Sequence, residues 1–165
     1  MPRCVEGRCC VGEKKMLIEM EVQGLLFDQS TRSYVVVLRE IGGSETLPIW
    51  IGEPEANAIA LVLGQVAVPR PLSHDLLKNV LDTLDVILSR VVVTEVREGT
   101  YYSHLYLLYG NREVVIDSRP SDAIATALRT DSPIYVERDV IDKRHRDDLE
   151  EWLRDIKPED FGNVM

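Results

Sequence analysis

Hydrophobic and polar residues alternate with a period of two where the patterned part of the chain begins. In the segment 16–27, "MLIEMEVQGLLF", Ile18, Met20 and Val22 fall on one face, and acidic or amide residues fall between them. Because the side chains of a strand point alternately to opposite faces, this pattern predicts a half-buried β-strand. The segment 33–41, "SYVVVLREI", is largely apolar and β-branched, and it predicts a more deeply buried strand.

A hairpin and a helix complete this first unit. Gly42-Gly43 is a tight-turn signal, and the segment 45–51, "ETLPIWI", returns as a third strand in which Pro48 suits a sheet edge. Pro54 is typical of the first helical position. The apolar run after it predicts a largely buried helix that ends near Gly64.

A second helix is predicted to start after Ser73, a credible N-cap, and to continue to residue 89. Its apolar positions recur at helical spacing: Leu76, Leu77, Val80, Leu81, Leu84 and Ile87. Three further strands are predicted in the segments 90–98, 101–109 and 112–117. They lead into a helix opened by Pro120 and a short final strand, "PIYV", at 133–136.

Two segments of the chain echo each other. The segments 49–61, "IWIGEPEANAIAL", and 114–126, "VVIDSRPSDAIAT", share a strand–turn–helix layout, and this alignment places Gly52 and Asn57 at the positions of Asp117 and Asp122. Each copy follows two hairpin-linked strands. The pattern predicts an α+β fold with a mostly antiparallel sheet, built from two strand-strand-strand-helix units with a bridging helix and a C-terminal amphipathic helix.

The two ends of the chain differ from the domain predicted at 16–136. The leader, 1–15, contains all three cysteines, Cys4, Cys9 and Cys10, which either hold a metal or belong to a loose segment. The tail, 137–165, is charged and has an apolar stripe: Leu149, Trp152, Leu153 and Ile156. An amphipathic tail of this kind is expected to pack on the domain or on a neighbouring subunit of a homo-oligomer.

Composition narrows the functional classes. The 28 acidic residues outnumber the 19 Lys and Arg residues, giving a formal net charge of -9. An acidic body argues against broad passive binding of nucleic acid, although it is compatible with a local basic groove or a metal-bridged substrate. No apolar run reaches the roughly 18 residues of a membrane span, and no signal peptide is visible. We therefore expect a soluble, cytoplasmic protein without a membrane partner.

The stretch "EVVIDSRPSDAIATAL", 113–128, places polar residues between a strand and a helix. In a structural interpretation Asp122 and Ser118 satisfy free amides at the helix start. In a functional interpretation Asp117, at the end of the strand, and Asp122 converge to hold Mg²⁺ or Mn²⁺, which would position phosphate and generate hydroxide. The residues alone leave both interpretations open.

Several cationic and histidine side chains accompany these acids. Arg70 and Arg119 each precede a proline and can bind a phosphate or pair with a nearby carboxylate, Asp75 or Asp122. His74 can act as a general base or a metal ligand, or can simply lie at the surface. His104, within a strand of tyrosines, is more typical of a packed histidine, and His145, in "DKRHRDD", of a solvated face.

Three blocks, "LPIWIGEPEANAIAL", "RPLSHDLL" and "IDSRPSDAIATALR", followed by "PIYV", resemble the bifunctional nuclease family of small bacterial and plant domains. The resemblance implies an α+β fold, oligomeric assembly, and nuclease activity on RNA and DNA as described for plant members. The shared polar positions of the family correspond here to Glu53, Glu55, Arg70, His74, Asp75, Asp117, Arg119, Ser121 and Asp122.

Two hypotheses follow. The first is a nuclease with little sequence specificity. In it Asp117, Asp122 and Glu53 hold a divalent cation. The catalytic set is His74, Asp75, Asp117 and Asp122. The substrate-binding set is Arg70, Arg119 and Ser121. The second hypothesis is a non-catalytic oligomeric binding or regulatory module, in which the same residues form ion pairs and helix caps.

Overall fold

The alternating pattern at the start of the chain forms the expected strand. The structure, a computed structural model, describes residues 15–143. Strand β1 is Leu17–Asp28, and it pairs antiparallel with β2, Ser33–Glu40. Ile18 and Met20 are buried, whereas Glu19 is exposed, as a period of two requires. Strand β3, Thr46–Ile51, pairs antiparallel with β2.

The second unit repeats this arrangement. Strand β4, Val86–Arg97, pairs antiparallel with β5, Thr100–Tyr109, which pairs antiparallel with β6, Arg112–Ser118. The β4–β5 turn contains Gly99 at φ +77°, a left-handed conformation that glycine adopts without steric cost.

Strand β7, Ile134–Glu137, joins the two units into one sheet. It lies between β1, to which it is antiparallel, and β4, to which it is parallel. The resulting sheet of seven strands has the order β3-β2-β1-β7-β4-β5-β6. The predicted α+β class with a mostly antiparallel sheet is therefore confirmed.

Four helices are present within residues 15–143: α1 Glu53–Leu63, α2 Ser73–Thr83, α3 Pro120–Thr130 and α4 Arg138–Asp142. Helix α3 packs against α1, α2, β4 and β5, so it lies at the centre of the helical layer. Its Ile124 and Ala125 are fully buried. They belong to one core with Val36, Ile49 and Val91 of the sheet, so this face of the sheet is the one that the helices cover.

The bridging helix is shorter than the sequence pattern predicts. Helix α2 ends at Thr83, Asp85 adopts a left-handed φ of 54°, and β4 already begins at Val86. Ser73 is the first helical residue rather than the cap, which is Leu72. The prediction of a helix to residue 89 was wrong because Leu84 and Ile87 happen to continue the helical spacing across a left-handed break.

The predicted tail helix, with its stripe at Leu149, Trp152, Leu153 and Ile156, lies outside the described residues, as do His145 and the cysteine-containing leader up to residue 14. Within residues 15–143, no helix is long and apolar enough to cross a membrane.

Candidate active site

The first turns of α1, α2 and α3 meet at one end of the helical layer. Together they line a cleft of about 870 Å³, and its lining residues are Pro54, Glu55, Asn57, Ala58, Pro71, Leu72, Ser73, His74, Leu77, Arg119 and Asp122. The free amides and dipole of a helix N-terminus favour an anion. Three such ends around one cleft therefore provide an environment suited to a phosphate group.

His74 and Asp122 form a direct pair in this cleft. His74 is the second residue of α2 and Asp122 the third residue of α3, and His74 Nε2 lies 3.0 Å from Asp122 Oδ1. The His74 side chain is 16% exposed and the Asp122 side chain 31%. His74 and Asp122 are 48 positions apart in sequence and lie on different helices, so the local sequence pattern did not reveal that they pair.

Asp122 also accepts a hydrogen bond from Arg119, whose Nε lies 2.7 Å from Oδ2. Burial by itself raises the pKa of the Asp122 carboxyl, but the hydrogen bonds from Arg119 and His74 outweigh burial and hold this pKa below its usual range. Asp122 is therefore an ionised carboxylate at neutral pH. It does not cap the helix, since its two carboxylate oxygens pair with side chains, Oδ1 with His74 and Oδ2 with Arg119.

Arg119 connects α3 to α1. Its Nη2 lies 3.0 Å from Glu55 Oε1, and its pKa is raised, mainly by the hydrogen bond to Asp122 and the charge of that carboxylate. The Arg119 side chain is nevertheless 66% exposed, whereas the Glu55 side chain is only 17% exposed. A guanidinium that is held on one side by two carboxylates and is open on the other can bind a phosphate by donating hydrogen bonds to its oxygens.

Asp75 lies behind the cleft and is paired differently from the sequence expectation. Its Oδ2 accepts a hydrogen bond from the Leu72 amide at 2.8 Å, and its Oδ1 accepts one from Arg129 Nε at 2.7 Å, so its partner is Arg129 rather than Arg70. The Leu72 amide first, and then Arg129, lower the pKa of Asp75. This carboxylate serves the structure of α2 and its attachment to α3.

Sequence reasoning missed Arg129. Its side chain is 5% exposed and donates to Asp75, to the Ala125 carbonyl at 2.9 Å and to the Ala58 carbonyl at 3.0 Å. These contacts tie α1, α2 and α3 together beneath the cleft. Asp75 is 54 residues away in sequence and Ala58 is 71 residues away. The one available signal was a charged residue at the end of an otherwise apolar, buried helix.

Asp117 does not join Asp122. Ser103 and Leu105 are buried under the helices and pair with Ser118 and Ile116, so Asp117, between them, points to the opposite face of the sheet. There its side chain is 79% exposed and lies 3.9 Å from His104 Nε2. The convergence of Asp117 and Asp122 on one cation, expected from sequence, is not seen. Within residues 15–143, no group of three or more His, Cys, Asp or Glu side chains is arranged to hold a metal ion.

The remaining predicted residues do not line the cleft. Glu53 is the exposed first residue of α1, and Arg70 is exposed in the link before Pro71. Neither forms an ion pair with another residue of the described range. Ser121 is 7% exposed and contacts a smaller cavity next to the cleft rather than the cleft itself.

Comparison with protein families assigns the fold. The model of the bifunctional nuclease domain matches residues 36–148, more than half of the chain. The chain belongs to the bifunctional nuclease domain family. The match includes the first turns of all three helices, so the whole cleft lies in the family domain. It begins inside β2, and β1 precedes it although β1 supplies Ile18 and Met20 to the core.

Similar proteins occur in bacteria and plants. An uncharacterised protein of Mycobacterium tuberculosis is 42% identical over 123 residues, which is 74% of this chain and 73% of the relative. Bifunctional nuclease 1 of rice, Oryza sativa, is 33% identical over 116 residues, 68% of this chain but 35% of the plant protein. Bifunctional nuclease 2 of Arabidopsis thaliana is 30% identical over 118 residues, 70% of this chain and 36% of the relative. The chain thus spans about a third of the length of these plant proteins.

Proposed function

We propose that this chain hydrolyses phosphodiester bonds of RNA, DNA or both, with little sequence specificity, in the cleft where α1, α2 and α3 begin. The observation that carries the proposal is the pair formed by His74 and the ionised Asp122, 3.0 Å apart, beside the exposed guanidinium of Arg119. Phosphodiester hydrolysis needs a general base, a group that orients the base, and a positively charged side chain that binds the phosphate. The plant relatives that carry the name bifunctional nuclease support the same reaction class.

His74 acts as the general base in this proposal. Because Asp122 is ionised, the His74 nitrogen that faces it, Nε2, carries the hydrogen of the neutral imidazole, and Nδ1 keeps its lone pair. Nδ1 takes a proton from water as the water oxygen attacks phosphorus. The bond from phosphorus to the leaving sugar oxygen breaks, and that oxygen takes a proton from solvent. Asp122 stabilises the imidazolium that forms.

Arg119 and the helix ends hold the phosphate. The transition state gains negative charge on the non-bridging oxygens, and a guanidinium with free helix amides stabilises it better than the ground state. Arg70, exposed next to the Pro71 that lines the cleft, supplies a second cationic side chain for the neighbouring phosphates of a strand.

The sequence predicts a divalent cation, Mg²⁺ or Mn²⁺, held by Asp117, Asp122 and Glu53. Asp117 and Asp122 face opposite sides of the sheet and Asp122 is engaged by Arg119 and His74, so the expected ligand set does not fit one ion. No step of the proposed hydrolysis uses a cation.

The test is hydrolysis of single-stranded RNA and single-stranded DNA by the purified full chain, in Mg²⁺, in Mn²⁺ and in a chelator. We expect cleavage by the wild type and loss of cleavage in Asp122→Ala. Asp117→Ala, on the other face, is expected to keep wild-type rates. If the wild type cleaves neither substrate under any of the three conditions, the nuclease proposal fails. If Asp122→Ala cleaves as fast as the wild type, the assignment of the site fails.

A second candidate function, a non-catalytic oligomeric binding or regulatory module, is favoured by the open edge of the sheet. Strand β6 ends the sheet, and its Val114, Val115 and Ile116 are 43%, 49% and 44% exposed. The other edge, β3, contains Pro48, which cannot donate a backbone hydrogen bond to an added strand. Among residues 15–143 no strand pairs with the outer side of β6, and an aliphatic edge of this kind is suited to pairing with another strand.

The partner in this candidate function is a second copy of the chain. An antiparallel pair of β6 strands centred on Val115 places Val114 of one copy against Ile116 of the other, which matches aliphatic side chains. The same register opposes Glu113 and Asp117; Arg90 offsets the charge of Glu113, and His104 Nε2 lies 3.9 Å from Asp117. Such a dimer extends the sheet across both copies.

Sedimentation equilibrium of the full chain tests whether two copies pair through β6. Val115→Lys is expected to shift a dimer to a monomer, because a charge at the centre of the paired edge opposes strand addition. Val66→Lys, at an exposed position in the link between α1 and α2, is the matched control and is expected to leave association unchanged. If Val115→Lys associates like the wild type, β6 is not the interface.

A further inference from the structure

Next to the cleft lies a smaller cavity of about 280 Å³, and Glu55 and Arg119 line both spaces. We call it the small cavity; it is bounded by the end of β3, the β4–β5 turn and the start of α3. The reaction proposed for the cleft uses His74, Asp122 and Arg119, so the polar groups that face only the small cavity have no part in it.

Ser121 places a buried hydroxyl group at the wall of the small cavity. It is the second residue of α3 and is only 7% exposed. Among residues 15–143 its hydroxyl makes no hydrogen bond, although a buried polar group without a partner costs free energy. The other buried hydroxyl groups, those of Ser103 and Thr126, each donate to a backbone carbonyl. An unpaired, buried hydroxyl group that lines a cavity is suited to binding a polar ligand.

Glu55 offers a second unpaired group, a hydrogen-bond acceptor. Its Oε1 lies 3.0 Å from Arg119 Nη2, and its side chain is 17% exposed. Its Oε2 accepts no hydrogen bond from residues 15–143 and lies against Gly52, so closely that a Cβ atom at position 52 would collide with it. The glycine at the start of α1 therefore leaves room for this oxygen beside the small cavity, which Gly52 also lines.

The two unpaired groups indicate the chemistry of the ligand. A carboxylate oxygen and a hydroxyl group together suit a neutral ligand that both donates and accepts hydrogen bonds. An anion does not suit the small cavity, because the charge of Glu55 offsets that of Arg119 there. The hydroxyl groups of a sugar meet the requirement, and a carboxylate that accepts a hydrogen bond from a ribose hydroxyl is a common way of binding ribose.

Arg119 connects the small cavity to the phosphate site of the cleft. It lines both, and its side chain is 66% exposed. In a nucleic-acid strand each sugar is bonded directly to the phosphates on either side of it. A strand whose phosphate is bound by Arg119 therefore brings one of its sugars to the small cavity, and a volume of about 280 Å³ accommodates a single pentose.

We propose that the small cavity is a ribose subsite, in which the 2′-hydroxyl of an RNA strand donates a hydrogen bond to Glu55 Oε2 and accepts one from the Ser121 hydroxyl. The inference rests on the proposed nuclease function, since its ligand is the substrate of that reaction. DNA has no 2′-hydroxyl, so it leaves both groups of the protein unpaired. The subsite therefore selects RNA over DNA of the same sequence.

The experiment measures binding rather than hydrolysis. Isothermal titration calorimetry with the full chain compares adenosine 3′,5′-bisphosphate with its 2′-deoxy analogue, which differs only in lacking the 2′-hydroxyl. We expect the ribonucleotide to bind the wild type about tenfold more tightly, the size of a hydrogen bond to a charged group. In Ser121→Ala this preference is expected to fall to about threefold or less, while the affinity for the deoxy analogue stays unchanged. Ser33→Ala, at a half-buried serine that lines neither cavity, is the matched control and is expected to keep the preference.

A second variant, Gly52→Ala, moves the carboxylate without removing it. The added Cβ atom displaces Glu55 Oε2, and the extended backbone at residue 52 accommodates alanine. Because this displacement alters the Arg119 ion pair for both ligands, the ratio of the two affinities is the readout, and it is expected to fall to about twofold or less. Gly24→Ala, at a glycine where an added Cβ atom meets no other atom within 4 Å, is the matched control and is expected to keep the wild-type ratio.

The outcomes separate the ribose subsite from the nuclease proposal. Equal affinity of the wild type for the two bisphosphates, or no binding of either, overturns the subsite, and so does a preference that survives both Ser121→Ala and Gly52→Ala. If the preference is present and sensitive to both substitutions while oligonucleotides are not cleaved, the subsite stands and the nuclease proposal falls. If oligonucleotides are cleaved and the two bisphosphates bind equally, the nuclease proposal stands and the subsite falls.

Discussion

The starts of α2 and α3 carry the same residue type at the same helical position, and they use it differently. Asp75 is the third residue of α2, and its carboxylate turns back to the Leu72 amide. Asp122 is the third residue of α3, and its carboxylate turns outward to Arg119 and His74. An acid near a helix start normally serves the free amides, so the diversion of Asp122 to two side chains distinguishes it from Asp75 and is the basis of its proposed role.

Helix α1 extends the comparison. Its third residue is Glu55, which holds the same Arg119 from the opposite side. Counted from the helix caps, Glu55 is therefore the counterpart of Asp122, whereas the sequence echo aligned Asp122 with Asn57. The two units thus keep an acid at this position. The two acids differ in one contact. Among the described residues, Asp122 pairs with a histidine, His74, and Glu55 does not.

Removing the charge of Arg129, which pairs with Asp75, is expected to have the largest effect on stability. Arg129→Met leaves Asp75 and the carbonyls of Ala58 and Ala125 without their buried donor. We expect the free energy of unfolding to fall by about 3 to 5 kcal/mol, measured by urea denaturation. Lys78→Met, which removes an exposed ion pair with Asp82, is the control and should cost about 0.5 kcal/mol or less. An equal, small loss in both variants would contradict the role of Arg129.

Exchanging each aspartate for its amide is expected to separate structure from catalysis. Asp122→Asn keeps the shape but loses the charge that orients His74, so the hydrolysis rate is expected to fall about 100-fold or more. Asp75→Asn is expected to lower the free energy of unfolding by about 1 to 3 kcal/mol and to keep most of the hydrolysis rate. Rates under saturating substrate and urea midpoints on the same preparations check both. The comparison breaks if the two variants lose activity equally.

Acid is expected to destabilise the protein through both aspartates. Their pKa values are held below the usual range in the folded state, so each contributes stability above its unfolded pKa of about 3.9, and this stability is lost as the pH falls through the folded pKa. The free energy of unfolding, measured from pH 7 to pH 2, should therefore decline below about pH 4. The decline should be shallower in Asp75→Asn and in Asp122→Asn. An unchanged slope in both variants would show that their carboxylates titrate alike in the folded and unfolded chains.

Removing one ion-pair partner of Arg119 is expected to have the smallest effect, a change in the affinity for nucleic acid. Glu55→Gln removes one of the two carboxylates that compete with a phosphate for the guanidinium. Because the pair is partly exposed, we expect the affinity for a single-stranded oligonucleotide to rise only about two- to fivefold. Fluorescence anisotropy measures this change. Asp82→Asn, which removes an equal charge from the exposed side of α2, is the control for overall charge. Equal gains in both would assign the effect to net charge rather than to Arg119.

Local patterns were sufficient for most of the fold. Alternation located β1, Gly42-Gly43 located the β2–β3 hairpin, and Pro120 located the start of α3, because each depends on neighbouring residues alone. The position of β7 in the middle of the sheet, between β1 and β4, depends on pairing between distant segments and has no local signal.

The candidate site was predictable only in part. The polar residues between β6 and α3 identified Arg119 and Asp122 as candidate site residues. For Arg119 the sequence left two alternatives, binding a phosphate or pairing with Asp122, and the structure shows the ion pair. The pairing of His74 with Asp122 and the buried Arg129 depend on how three helices pack. Asp117 was assigned to the site because it ends a strand. The face to which it points is set by the register of β6 against β5, which the sequence does not specify.

The central claim is that His74, oriented by Asp122, is the base of a phosphodiesterase in the cleft. The most direct measurement is the rate of cleavage of single-stranded RNA and DNA by the wild type, His74→Ala and His104→Ala. His104, on the opposite face beside Asp117, is the matched histidine. We expect cleavage by the wild type and by His104→Ala, and a rate about 10²- to 10⁴-fold lower in His74→Ala. A His74→Ala rate equal to that of the wild type would contradict it.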